Sequence, residues 1–261
     1  MSFANRIRSA FQGFVKADQD DSVEKQELRV QQRFTISASN IAEVCFNGES
    51  FPVVNLSYSG VAITLLPNQK HLFDSLIHPE AQSKHIVAKI RLVNESVDMT
   101  MRLVFCGHNR AGFCFVHGTG DTLLFLRKSI EVMRRGFEMN QMDRAYLKER
   151  FQNSEWSVFR NGESDDLRLR KSAVGKLEEA LLTFLDGDYC EICFRDGLLT
   201  TRRIEQKQGS GVGSSAAAQQ NLVNDIGILK SGLLILNGLK SRDHALIIDK
   251  FMDEISRHLF C

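Results

Sequence analysis

The chain has 261 residues, 43% of them hydrophobic and 25% charged, with 33 basic against 32 acidic side chains. That composition excludes a fully disordered chain, and the length allows a packed core and more than one folding unit. The charges balance within each half as well, so the positive surplus of a general nucleic-acid binder is missing and no nucleic acid is expected as partner.

No uncharged apolar run approaches the roughly 18 residues that cross a bilayer, so no membrane span is expected. Arg6 and Arg8 break the apolar pattern of the first residues, against a secretory signal. Cys45, Cys106, Cys114, Cys190, Cys193 and Cys261 are scattered, as reduced intracellular thiols are. The expected location is the cytoplasm.

In residues 1–24, Phe3, Ile7, Phe11 and Phe14 share one face of a short amphipathic helix, and a polar, acidic link over 17–27 follows. From Phe34 the apolar period changes to two. Phe34, Ile36, Ala38, Ala42, Val44 and Phe46 fall on one face, and Asn47-Gly48 marks a tight hairpin turn. Further strands are expected near Phe51–Leu56, Val61–Leu66, Ile86–Leu92, Val97–Phe105 and Gly112–Val116. About six short strands within residues 25–120 predict a small antiparallel β-barrel in an α+β chain. Pro52, Pro67 and Pro79 would mark its edges and loops.

Leu123, Leu126, Ile130, Met133 and Phe137 repeat at alternating spacings of three and four, and Leu147 and Phe151 continue the frame. This predicts a long helix over 121–158 with a narrow apolar seam. The seam suits a partner helix, either from the C-terminal half or from a second copy through residues 121–151. Residues 159–261 are expected to be mostly helical. One helix is expected over 165–186, with Val174, Leu177, Leu181 and Leu185 on one side. A hairpin near 189–204 turns at Asp196-Gly197, and a last helix carries Ile248, Phe251, Met252, Ile255 and Leu259 after a Ser241 cap. Residues 207–220 are rich in Gly, Ser and Ala and read as a loop.

Two motifs stand out. Arg29-Val30-Gln31-Gln32-Arg33 is R-x-x-x-R, at the entry to the barrel. Asn55-Leu56-Ser57-Tyr58-Ser59-Gly60 is N-x-S-x-x-G, at the end of the first hairpin's return strand. In this order and this strand context, the pair resembles the PilZ domain family, over about residues 25–135. The resemblance implies a PilZ-like barrel and binding of cyclic diguanylate, a bacterial second messenger, through Arg29, Arg33, Asn55, Ser57 and Gly60. Those residue types suit the ligand. Arg guanidinium groups make bidentate, charge-assisted bonds to phosphate and can reach the O6/N7 edge of guanine or stack on it. Asn offers a donor and an acceptor, Ser a hydroxyl, and Gly close backbone approach.

Other patterns carry less. Cys190 and Cys193 form C-x-x-C without a second pair at zinc-site spacing, and on a strand their sulfurs point to opposite faces. Gly209-Ser210-Gly211-Val212-Gly213 lacks the Lys-Ser/Thr of a P-loop. His71, His78 and His85 match no metal motif, and no nucleophile elbow or acid/base pair is apparent. The sequence therefore predicts no enzyme, no metal and no cofactor. It predicts a receptor that converts cyclic diguanylate binding into contact with an unknown protein partner, which the resemblance places in motility, adhesion or biofilm control. The alternative is an interaction protein that oligomerises through the seam and binds no nucleotide.

Overall fold

A computed structural model describes residues 32–36, 41–73, 85–162, 165–204, 219–220, 224–242 and 246–260. The expected N-terminal helix, the acidic link and Arg29 lie outside the described residues.

Seven described strands form the first sheet: β1 Phe34–Thr35, β2 Ala42–Phe46, β3 Glu49–Ser57, β4 Gly60–Thr64, β5 His85–Leu92, β6 Glu95–Cys106 and β7 Arg110–His117. Strands β2 to β7 close on themselves in the order β3-β2-β5-β6-β7-β4, with β4 returning to β3, and β1 adds to β3 alongside. This is a closed six-stranded antiparallel barrel, and closure leaves no long open edge. The turn residues explain the tight connections. Asn47 and Gly48 have φ of 52° and 82°, the two positive values of a hairpin turn that matches strand twist. The β5–β6 turn uses Val93 and Asn94, also at positive φ, although Val93 is β-branched and sterically disfavoured there. Burial of Val93 and a hydrogen bond from its amide to the Ile41 carbonyl (2.8 Å) hold it in place.

Helix α1 spans Gly120–Phe137, starting at Thr119, whose hydroxyl accepts from the Thr122 amide at 3.2 Å. The seam is helical only to this point. The chain leaves the helix at Glu138, and Leu147 and Phe151 sit on or beside short 3-10 turns at Arg144–Tyr146 and Glu149–Phe151. The expected long helix over 121–158 is therefore cut short at the position where Asn140 and Arg144 break the apolar frame.

The expected helical C-terminal half is mainly a second sheet. Among the described residues it has seven antiparallel strands, each beside its sequence neighbour: β8 Asn140–Gln141, β9 Trp156–Arg160, β10 Asp166–Lys171, β11 Leu177–Asp186, β12 Asp188–Arg195, β13 Leu198–Ile204 and β14 Gln219–Gln220. The helix expected over 165–186 is the β10–β11 hairpin. Its real period is two: Leu167 and Leu169, then Ala180, Leu182 and Phe184, are buried on one face. Val174, counted in the helical stripe, is exposed beside the turn at Gly175 (φ +75°). The hairpin expected at Asp196-Gly197 is present, with φ of 54° and 77°.

Helices α2 (Ile226–Lys240) and α3 (Leu246–Phe260) cover the inner face of this sheet. α2 is continuously buried over residues 232–239 because α1 packs against its other flank. The contact is close: a Cβ on Gly136 would lie 1.8 Å from the Ile235 carbonyl oxygen, and one on Gly238 1.8 Å from that of Met133. Ile130 and Met133, in the α1 seam, are fully buried, so the seam meets a helix of its own chain. Ser241 ends α2, where its hydroxyl bonds the Asn237 and Thr35 carbonyls. One continuous apolar core runs from the barrel through α1 and α2 into the second sheet.

Candidate functional site

The N-x-S-x-x-G motif builds the β3–β4 turn. Ser57 pairs with Gly60 across it, leaving Tyr58 and Ser59 as the two turn residues. Ser57 is buried, and its hydroxyl donates to the Gly60 carbonyl at 3.2 Å, with the Ser59 hydroxyl 3.5 Å away. Gly60 has a structural reason of its own. Opposite β7, a Cβ there would lie 2.2 Å from the Phe113 carbonyl oxygen, so only glycine allows β4 to pair so closely. Asn55 lies in the middle of three strands, opposite Thr35 of β1 and Ala62 of β4. Its side-chain amide has no hydrogen-bond partner among the described residues.

Arg33 immediately precedes β1 and is half-buried. β1 pairs Phe34 with Leu56 and Thr35 with Asn55, so the same register carries Arg33 to the level of Ser57. Arg33 and Thr35 alternate with buried Phe34, just as Asn55 and Ser57 alternate with buried Leu56. Arg33, Asn55 and Ser57 therefore share the face opposite to Phe34 and Leu56. Gly60 is next to them through the turn. Of the five expected residues, four are brought together and Arg29 is outside the described residues.

Sequence reasoning missed a second feature of the turn. The Tyr58 hydroxyl donates to a Glu131 carboxylate oxygen on α1 at 2.5 Å. Glu131 also accepts from Arg134 at 2.7 Å, and Arg134 pairs with Glu138. Burial, then the bond to Glu131 and its charge, push the Tyr58 phenol up to about 12. Glu131 is held below its ordinary carboxyl range by the Tyr58 hydroxyl first and Arg134 second. The turn is thus clasped to α1. The only sequence signal was an aromatic residue at an unspecified motif position.

β1 is tied to the other half of the molecule. The Thr35 carbonyl accepts from Asn237 (3.1 Å) and from Ser241 (3.0 Å), both on the C-terminal end of α2. Asn237 is fully buried. The residue two positions after Arg33 is therefore fixed to the helix that joins barrel and second sheet.

No protein family matches the chain by sequence, and no curated protein does. Among solved structures, an uncharacterised Legionella protein aligns over 38% of this chain and 95% of its own, at 14% identity and a TM-score of 0.27.

The glycine-rich segment 209–213 and His78 lie outside the described residues. Cys190 lies on the inner face of β12, fully buried, and Cys193 on the outer face, so the two do not converge. Burial raises both thiols above their ordinary value. No group of three or more His, Cys, Asp or Glu among the described residues could hold a metal. No helix among them is long and apolar enough to cross a membrane.

Proposed function

We propose that the chain is a non-enzymatic bacterial receptor for cyclic diguanylate with a PilZ-like barrel, acting in the cytoplasm. One observation carries this reading. The β1–β3 register sets Arg33 beside Asn55 and Ser57 on one face of the barrel, with the Asn55 amide unengaged among the described residues. Arg29 and Arg33 would grip the two phosphates and the guanine edges, and Asn55 would hold a base. Ser57 and Gly60 shape the turn beneath. Closing of the arginines over the ligand would pull on β1, whose Thr35 carbonyl is bonded to α2. The output is a changed surface on the C-terminal half, read by a protein partner in motility, adhesion or biofilm control.

Calorimetric titration of the whole chain with cyclic diguanylate tests this. Saturable heat, lost in the Arg29→Ala/Arg33→Ala double variant, is expected. A wild-type protein that gives no heat ends the proposal and leaves an interaction protein that binds no nucleotide.

A further inference from the structure

The outer face of the second sheet holds a basic recess that the barrel motifs do not involve. Its floor is built by cross-strand alternation. Val158 and Arg160 of β9 share a face with Arg168 and Asp166 of β10, since Arg168 pairs with Val158 and Asp166 with Arg160. The segment with the two 3-10 turns folds back over this face and adds Tyr146, Lys148, Arg150 and Phe151. The recess encloses about 180 Å3.

Four cations line it, Lys148, Arg150, Arg160 and Arg168, and no carboxylate does. Asp166 lies at its edge and organises two of them. It accepts from Arg160 Nε at 2.9 Å and Nη2 at 2.8 Å, and from Arg168 Nε and Nη2 at 2.9 Å each. A guanidinium has five N–H donors, so this fixes each plane and leaves about three donors on each arginine. Arg150 and Arg168 both stand over the Phe151 ring, 4.5 and 5.2 Å from its centre. Lys148 has no ion-pair partner among the described residues. Four cations against one carboxylate, preoriented and facing a partly enclosed space, repel one another until an anion enters.

We infer that this recess is a second ligand site, for the phosphoryl group of a small phosphorylated compound. The arginine forks match tetrahedral oxygens, Lys148 adds a point charge, and the exposed Tyr146 offers flat apolar surface to the remainder of the ligand. The volume is below the usual range for drug-sized ligands, which fits a phosphomonoester and is small for a dinucleotide. The site would therefore operate independently of cyclic diguanylate.

Trp156 makes the test local. It is the only tryptophan of the chain, and its ring lies 4.9 Å from that of Phe151. Its fluorescence in the intact protein is titrated with inorganic phosphate and with phenyl phosphate, at constant ionic strength set with chloride. A saturable change with at least one probe is expected, weakened about tenfold or more in the Lys148→Gln/Arg150→Gln variant, whose changed residues are exposed. Tighter binding of phenyl phosphate assigns the site to an aromatic phosphoester; equal binding assigns it to the phosphoryl group alone. Absence of a saturable change with both probes, or an equal response in the variant, overturns the inference. Arg160→Gln serves as a second variant with the same two outcomes.

Discussion

The barrel and the second sheet are both antiparallel, yet they bury their apolar faces in different ways. The barrel closes, so the inward residues of β2 to β7 cover one another. The second sheet is open, with two-residue strands β8 and β14 at its edges, and its inner face is covered by α2 and α3. One unit closes its inner face on itself; the other borrows helices. Because α2 serves the second sheet on one flank and α1 of the barrel on the other, it is the element through which the two halves depend on each other. The contrast also separates their surfaces. The barrel presents Arg33, Asn55 and Ser57, whereas the sheet presents rows of ion pairs, such as Arg170 and Arg195 around Glu179.

The largest test of that dependence is Ile130→Asp. Ile130 is fully buried at the α1–α2 contact. A charge there has no partner, and the expected cost is about 4 kcal/mol, enough to unfold many domains. Thermal unfolding followed by circular dichroism should show one lowered transition or none. A soluble, fully folded variant of half the native mass in light scattering would mean that the seam joins two copies instead.

Arg135→Met tests the second link between the halves. Arg135 of α1 pairs with Asp165, whose carboxylate is fully buried and also accepts from Asn161 at 2.6 Å. Removing the cation leaves that carboxylate undercompensated, at a cost of about 3 kcal/mol in denaturant unfolding. A loss below about 1 kcal/mol would show that the two halves do not rely on this pair.

What could be read from the sequence follows the same division. The barrel strands were legible because Asn47-Gly48 permits two positive φ values and the flanking residues alternate. The second sheet was not, because Val174, Leu177, Leu181 and Leu185 happen to fall at helical spacing, while of these only Leu177 is buried, beside Ala180, Leu182 and Phe184. α2 gave no narrow helical stripe to find, since its residues 232–239 are almost all apolar and buried in a row. The motif was legible as local spacing, and the β1–β3 register gathers its described members. The Tyr58–Glu131 clasp was not, because its partners are 73 residues apart. Gly60 could be read as a motif glycine, but the strand that demands it, β7, could not be named without the fold.

Affinity for cyclic diguanylate should respond to barrel residues and not to the sheet. Arg33→Ala should weaken binding by about 2 kcal/mol, by loss of charge-assisted contacts, and Asn55→Ala by about 1 kcal/mol. Calorimetry on these variants, beside Lys148→Gln/Arg150→Gln as a control with native affinity, checks the separation. Equal loss in the control would merge the two surfaces into one site.

The smallest expected effect lies at the joint between motif and helix. Tyr58 has its phenol raised to about 12 from an ordinary value near 10, so the fold favours the protonated form. That contribution is complete below pH 10 and is lost as pH rises from about 10 to about 12. Glu131 works in the opposite direction: its lowered carboxyl stabilises the fold above the ordinary carboxylate range, and the gain is lost as pH falls through the folded value. Both groups are well exposed, with Tyr58 at 40%, so solvent screening reduces the effect to about 0.5 kcal/mol. Tyr58→Phe should remove its part of the alkaline slope of unfolding free energy and shift the Glu131 titration back toward the ordinary range. Ultraviolet titration of the wild type, which has three tyrosines, should show one phenol titrating late, and Tyr58→Phe should lack it. If the late phenol persists in the variant, the clasp does not hold the turn to α1 in solution. The barrel motif would then move independently of the helix that leads to the second sheet.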